Sequence, residues 1–248
     1  MPRAQVTLLE FHNLQAEIKS QQGVISGDVR IGLVPSLAQA ASAALFRTAQ
    51  ELYPAVRLIV LEGVTAQLDT WRSNDEVDIT ILFRAGHADL RSEDSLGRVD
   101  TYLVGARGDA ITAGAAVRFS ELDGLPLVLA PAPNGLRADV EKQAQRLGIQ
   151  LSIVLETNSL AVQTELAARG GVYTIMAGHA ASQRMDAGLQ ASRIVDPAIM
   201  RTIAMGVASH RPASDATRHI ARLAKAQVME AFKTIEMPES AAQEPARV

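Results

Sequence analysis

Apolar positions along this chain recur with two periods that alternate. Leu8, Leu9, Phe11, Leu14 and Ile18 fall near helical spacing with polar residues between them, and Gly23 closes the run. That predicts a helix within residues 1–23. Val29 to Val34 is a short apolar strand. The period then lengthens into a helix from about Leu37 to Leu52, closed by Tyr53-Pro54. Val56 to Gly63 ("VRLIVLEG") reads as a second strand, "TAQLDTWRSN" as a helix from Thr65, and Glu76 to Phe83 as a third strand. A β-α-β-α-β order is the signature of a parallel sheet with crossover helices.

The pattern restarts downstream. Thr101 to Asp109 is a strand, and Arg118 to Pro131 holds a turn and another strand. Gly135 to Gly148 is an amphipathic helix, Gln150 to Thr157 a strand, and "NSLAVQTELAARGG" a helix stopped by glycine. "VYTIMAG", "LQASRIV" and "RTIAMGVAS" give further strands. A helix from Ser214 to about Ile235 carries Ile220, Leu223, Val228 and Phe232 and needs a sheet to cover. Packed on the first half, it makes the chain cross between halves twice. The expected class is α/β, two Rossmann-like lobes with a cleft between them. Residues 1–23 form a linker helix, 27–99 with 209–236 lobe I, 100–208 lobe II, and 237–248 a disordered tail.

The candidate chemistry sits where strands give way to helices. Ser36 follows the first strand, Thr65 the second, and Thr157-Asn158-Ser159 the strand "SIVLE". Each hydroxyl or amide has two readings. It caps the helix by accepting a first-turn N–H, or it joins the open amides and positive dipole end in holding an anion. A set of such ends lining one cleft suits a carboxylate or an inorganic anion. Leu37 and Val64 flank the hydroxyls and could meet the apolar part of a ligand. Phe83 and Arg84 end a strand, with Arg84 either a counter-charge or a surface cation. Pro131 and Asn134 follow "LPLVLAP", and Met176 ends "VYTIM" as adaptable wall or core filler.

Composition narrows the chemistry. The 248 residues are 48% hydrophobic, enough for one large domain or two small lobes with cores. No apolar run reaches the roughly 18 residues of a membrane span, and the N-terminus lacks the apolar core of a secretory signal. There is no cysteine, which removes disulfides, thiolate metal sites and a thiol nucleophile, and with these absences the expected location is cytoplasmic. A net charge of −3 and dispersed Lys and Arg make the chain alone a poor nucleic-acid binder. His12, His87, His179, His210 and His219 form no zinc spacing, and neither a G-x-S-x-G elbow nor a phosphate loop occurs. Glu62 and Glu156 end strands but pair with no nucleophile or base in the sequence. No enzyme, metal or cofactor is expected.

The ordered set of segments resembles the effector-binding domain of LysR-type transcriptional regulators. It comprises "GDVRIGLVPSLA", the stretch "LFRTAQELYPAVRLIVLEGVTAQLDTWRSNDEVDITILF", "FSELDGLPLVL", "ETNSLAVQTELAARGGVYTIMAG" and "HRPASDATRHIARL". The resemblance covers about residues 5–235. It implies a periplasmic-binding-protein type II-like fold, with a small-molecule or anion effector contacted at Ser36, Thr65 and Thr157 to Ser159. It implies a homodimer or homotetramer, and DNA contact only through an N-terminal helix-turn-helix that this sequence lacks. The sequence then stands as an excised piece of a longer chain or as a naturally short homologue. The first helix is either a coiled-coil face pairing two subunits or an amphipathic helix packed on its own domain. The competing function is a periplasmic-type solute-binding protein of a transporter, which shares the two-lobed architecture.

Overall fold

Alternating apolar runs become strands and helices in the expected order. The computed structural model describes residues 24–86, 90, 92–182, 185, 188–210 and 212–233. The expected linker helix 1–23 and tail 237–248 lie outside them. In chain order the elements are β1 (Gly27–Leu33), α1 (Pro35–Leu52), β2 (Val56–Glu62), α2 (Thr65–Ser73), β3 (Ile79–Ala85), β4 (Asp94–Ala106) and β5 (Ala116–Arg118). A 3-10 turn at Phe119–Leu122 leads to β6 (Pro126–Leu129), α3 (Gly135–Leu147), β7 (Ser152–Glu156), α4 (Leu160–Ala168), β8 (Thr174–Ala177), α5 (Gly178–Ser182), β9 (Leu189–Val195), β10 (Met200–Val207) and α6 (Asp215–Lys233).

The described parts of Met1–Phe83, Asp89–Gly97 and Ile203–Ala231 form one compact unit. Those of Arg84–Ala88, Arg98–Thr202 and Phe232–Val248 form a second. Among the described residues the boundaries between them fall inside β3, β4, β10 and α6.

In unit 1 the strands run β2-β1-β3, all parallel, with Leu33 opposite both Glu62 and Ile81. Parallel strands covered on both faces read as continuous apolar runs, and Val29, Ile31, Leu33, Ile79, Ile81 and Leu82 are all buried. Helix α1 buries Leu37, Ala38, Ala41, Leu45 and Ala49, one stripe at helical spacing. Gly32 lets α2 approach β1 closely, since a Cβ there would lie 2.8 Å from Leu68 Cδ2. Beside β3 lies the end of β10, where the Ala208 N–H donates to the Asp78 carbonyl at 2.9 Å. Helix α6 covers this unit. The Tyr53 hydroxyl and His219 Nδ1 are 2.9 Å apart, and Ile220, Ala224 and Val228 are buried.

In unit 2, β4 pairs antiparallel with β8 and β9, β9 pairs parallel with β5, and β6 pairs parallel with β7. Its core gathers Leu103, Phe119, Leu122, Leu127, Val140, Ile175 and Ile194. A polar brace closes the loop after β4. The Tyr173 hydroxyl donates to Asp109 at 2.8 Å, and Gln190 Nε2 donates to Thr112 Oγ1 at 2.9 Å. Burial, and then the adjacent carboxylate, push the Tyr173 phenol up to about 12.

Two of the boundaries that differ from the sequence reading have a local cause. The strand expected from Thr101 begins at Asp94; in the added stretch only Leu96 is buried, and its other apolar side chain, Val99, is half-buried among polar neighbours, so the apolar pattern there is weak. The strand expected from Glu76 begins at Ile79, because Asp75 adopts φ 53° and turns the chain just before it.

Candidate functional site

Parallel pairing puts the C-terminal ends of β1, β2 and β3 on one edge of unit 1. The Gly63 N–H donates to the Leu33 carbonyl at 3.1 Å, and the Val34 N–H to Ile81 at 3.4 Å. The β1–α1 and β2–α2 junctions are therefore neighbours, and Ser36, Val64, Thr65 and Phe83 come together on this edge. All four are half-buried.

The capping reading of Ser36 and Thr65 is corrected here. Helix α1 starts two residues earlier than Ser36 would allow as cap: Val34 is the N-cap, in extended geometry, and Pro35 is the first helical residue. Proline is favoured there because its fixed φ suits the first turn and its missing N–H costs nothing. Ser36 thus stands inside the first turn. Thr65 is likewise the first residue of α2, after the extended N-cap Val64. Neither helix has a side-chain cap bond. Both N-termini present first-turn amides without a side-chain acceptor, each with a hydroxyl on the turn and a valine beside it. Such an end attracts negative charge. Leu37, by contrast, is fully buried in the core of unit 1.

Unit 2 is built differently. Leu129 is opposite Glu156, and the Thr157 N–H donates to the Leu129 carbonyl at 2.9 Å, so Pro131, Asn134 and Thr157 to Ser159 share an edge. Here the caps are real. Asn134 Oδ1 accepts from the Arg137 N–H at 3.0 Å, and Ser159 Oγ from the Val162 N–H at 3.4 Å. The Thr157 hydroxyl accepts from the Ser159 N–H at 3.2 Å, and Asn158 is exposed. Met176 is buried among Val104, Ala167, Ala180 and Leu189 and acts as core filler. Arg84 is half-buried, and its carbonyl accepts from Arg201 Nε at 3.2 Å.

This difference has a measurable consequence. Asn134→Ala should cost about 1 kcal/mol of stability, the usual loss for a working N-cap. Ser36→Ala should stay within about 0.5 kcal/mol. Urea unfolding of the two variants checks the pair, and an equal loss for both would mean that Ser36 caps after all.

The sequence reading missed three side chains that position the unit 2 edge. Arg137 donates to Glu156 at 3.0 Å, Glu141 at 2.5 Å and the Ala130 carbonyl at 3.3 Å, tying the ends of β6 and β7 to α3. Glu156 is thereby a salt-bridge partner. Buried Gln163 donates to the Thr157 carbonyl at 2.7 Å and accepts from Thr174 Oγ1 at 3.1 Å, which fixes the turn before α4. Arg201 lies with its guanidinium 3.3 Å from Asp139 and against the first turn of α3, where a Cβ on Gly135 would meet Arg201 Nη2 at 2.8 Å. Burial lowers the Arg201 pKa despite Asp139, and burial raises that of Asp139 despite Arg201. An arginine inside the apolar strand "MRTIAM" was the visible signal.

Residues 22–229 match the family model described as the LysR substrate binding domain. Among solved structures, the chain is similar to the Corynebacterium glutamicum OxyR C206 mutant, at 19% identity and TM-score 0.70 over 94% of this chain and 74% of that one. It is also similar to the C-terminal domain of a probable LysR family transcriptional regulator from Rhodococcus sp. RHA1, at 17% identity and TM-score 0.67 over 81% and 99%. Full-length CbnR, solved in complex with its target DNA, is similar at 13% identity and TM-score 0.68 over 91% and 79%. No helix among the described residues is long and apolar enough to cross a membrane. With its α/β, periplasmic-binding-protein type II-like fold, the chain belongs to the LysR substrate-binding-domain family, the effector-binding domains of LysR-type transcriptional regulators.

Proposed function

We propose that this domain senses a small organic acid or an inorganic anion, and that the site in unit 1 is the pair of helix N-termini carrying Ser36 and Thr65. The observation that carries this reading is the missing side-chain cap on both α1 and α2. At α1 the Ser36 N–H is left to a ligand, since Pro35 has none and the Leu37 N–H donates to the Val34 carbonyl at 3.0 Å; α2 adds its own first-turn amides, and each turn adds a hydroxyl, whereas α3 and α4 each commit one amide to Asn134 or Ser159. Val64 and Phe83 offer apolar contact beside them. For unit 2 by itself, the family resemblance implies effector contacts at Thr157, Asn158 and Ser159, where the Thr157 and Ser159 hydroxyls already accept from backbone N–H groups.

In this reading the domain is a sensor and not a catalyst. It works in the cytoplasm as a homodimer or homotetramer and reaches DNA only through a helix-turn-helix module elsewhere in the regulator. Phe46 and Leu52 on α1 and Val154 on β7 are large, exposed apolar side chains, the kind of surface that subunit contacts cover. A transporter's solute-binding component is not favoured, because the matched family is regulatory.

The test is a thermal-shift screen of small organic acids, sulfate and phosphate on wild type and Thr65→Val. A ligand that binds the folded state raises the midpoint by mass action. Thr65→Val nearly preserves shape and removes the hydroxyl. A hydrogen bond to a charged group is worth about 1.5–3 kcal/mol, so binding should weaken roughly 10- to 150-fold. A hit that stabilises both forms equally sinks the assignment.

A further inference from the structure

Unit 1 holds a concavity that none of the strand-end residues Ser36, Val64 or Thr65 lines. It is a pocket of about 360 Å3 between the end of β10 and the first turns of α6. Its floor is apolar: Met205 and Ala221 are buried and Val207 half-buried. Its mouth is charged. Arg218, Arg222 and Lys225 recur on one face of α6, with Asp94 opposite.

The charges at the mouth do not cancel. Arg218 pairs with Asp215, and Lys225 Nζ lies 2.8 Å from Asp94. Arg222 donates to the Arg218 carbonyl at 3.4 Å and has no carboxylate partner among the described residues. Three cations therefore face two carboxylates, which leaves one positive charge beside an apolar floor. The volume lies at the small end of ligand pockets, which run from about 300 to 1,000 Å3. It suits a bicyclic aromatic or medium-chain acid.

We propose that this pocket is a second ligand site, and that it takes an amphipathic organic monocarboxylate. The apolar body lies on Met205, Val207 and Ala221, and the carboxylate meets Arg222 with Lys225. The proposal does not rest on the strand-end reading, since none of Ser36, Val64 or Thr65 lines this pocket.

The experiment is titration calorimetry of the chain with 2-naphthoate, with neutral 2-naphthamide as the shape-matched control. The variant is Arg222→Gln with Lys225→Gln, two side chains at the solvent-facing mouth whose replacement leaves the core intact. Wild type should bind naphthoate at millimolar concentration or better, and naphthamide about tenfold more weakly. The double variant should lose about tenfold or more in naphthoate affinity while keeping its unfolding midpoint. The proposal is overturned if wild type does not bind naphthoate, or if the double variant binds it equally well. It is also overturned if Thr65→Val abolishes the binding, which would place the acid at the strand ends.

Discussion

Gly206→Ala should destabilise the domain by about 3 kcal/mol, seen as a lower midpoint in urea. The reason is a guanidinium packed directly on the backbone. A Cβ at position 206 would lie 1.5 Å from Arg72 Nη1 and 2.6 Å from its Cζ. Arg72 must then swing away, and its ion pair with Glu93, at 3.0 Å, breaks. The Glu93 side chain is only 5% exposed and that of Arg72 16%. Removing one partner of a buried pair costs about 3–5 kcal/mol, because the remaining charge loses its compensation. Arginine is flexible enough to find a partial alternative, which puts the expected value at the lower end.

A double-mutant cycle separates this account from simple strand propensity. If the clash with Arg72 is the cause, Gly206→Ala should add almost nothing in an Arg72→Ala background. If the losses add in full, the guanidinium is not what excludes a Cβ at position 206.

Position 206 also shows where the sequence stops being readable. "RTIAMGVAS" announces a buried strand, and its glycine looks like an ordinary interruption. The arginine that requires it lies on α2, in a segment whose periodicity marks only a surface helix. Element type was legible because it depends on neighbours a few residues apart: Val29, Ile31 and Leu33 in β1, or Leu37, Ala41 and Leu45 in α1. The family was legible because the segments keep an order. The buried pairs Arg72–Glu93 and Arg201–Asp139 were not: the apolar run around Arg201 marks one buried cation, but each pair joins distant segments and nothing local names the partner.

The strand-end site was legible as a set of positions but not in its chemistry. Ser36, Thr65 and Thr157 to Ser159 share one sequence pattern, a strand followed by a hydroxyl and a helix. Pro35 breaks that equivalence by starting α1 two residues earlier than a Ser36 cap would. Thr65 enters α2 itself after Val64, whereas Asn134 and Ser159 stay outside their helices as caps. A difference of one or two residues in where the helix starts decides whether a hydroxyl is used by the backbone or left available to a ligand.

The second large effect is expected at Arg201. Its side chain is 5% exposed, between Asp139 at 3.3 Å and the Arg84 carbonyl at 3.2 Å. Arg201→Met keeps most of the stem volume and removes the charge. Losing one partner of a buried pair costs about 3–5 kcal/mol. Asp139 keeps a quarter of its side-chain surface in water, so the expected loss at neutral pH is about 2–3 kcal/mol. The pH dependence distinguishes electrostatics from packing. Burial already raises the Asp139 pKa above 3.8 with Arg201 present, and removing Arg201 takes away the cation that opposes the rise. A folded-state carboxyl with a raised pKa holds its proton more tightly than the unfolded chain does. Its contribution is therefore most favourable below the unfolded value, and it is lost as pH climbs through the folded one. The gap between wild type and Arg201→Met should shrink as pH falls toward 4 and Asp139 becomes neutral. Urea unfolding across this range reads the effect, and adding Asp139→Asn to Arg201→Met should recover part of the loss at pH 7. A gap that stays constant with pH, with no recovery from Asp139→Asn, would show that the Arg201 stem stabilises through packing alone.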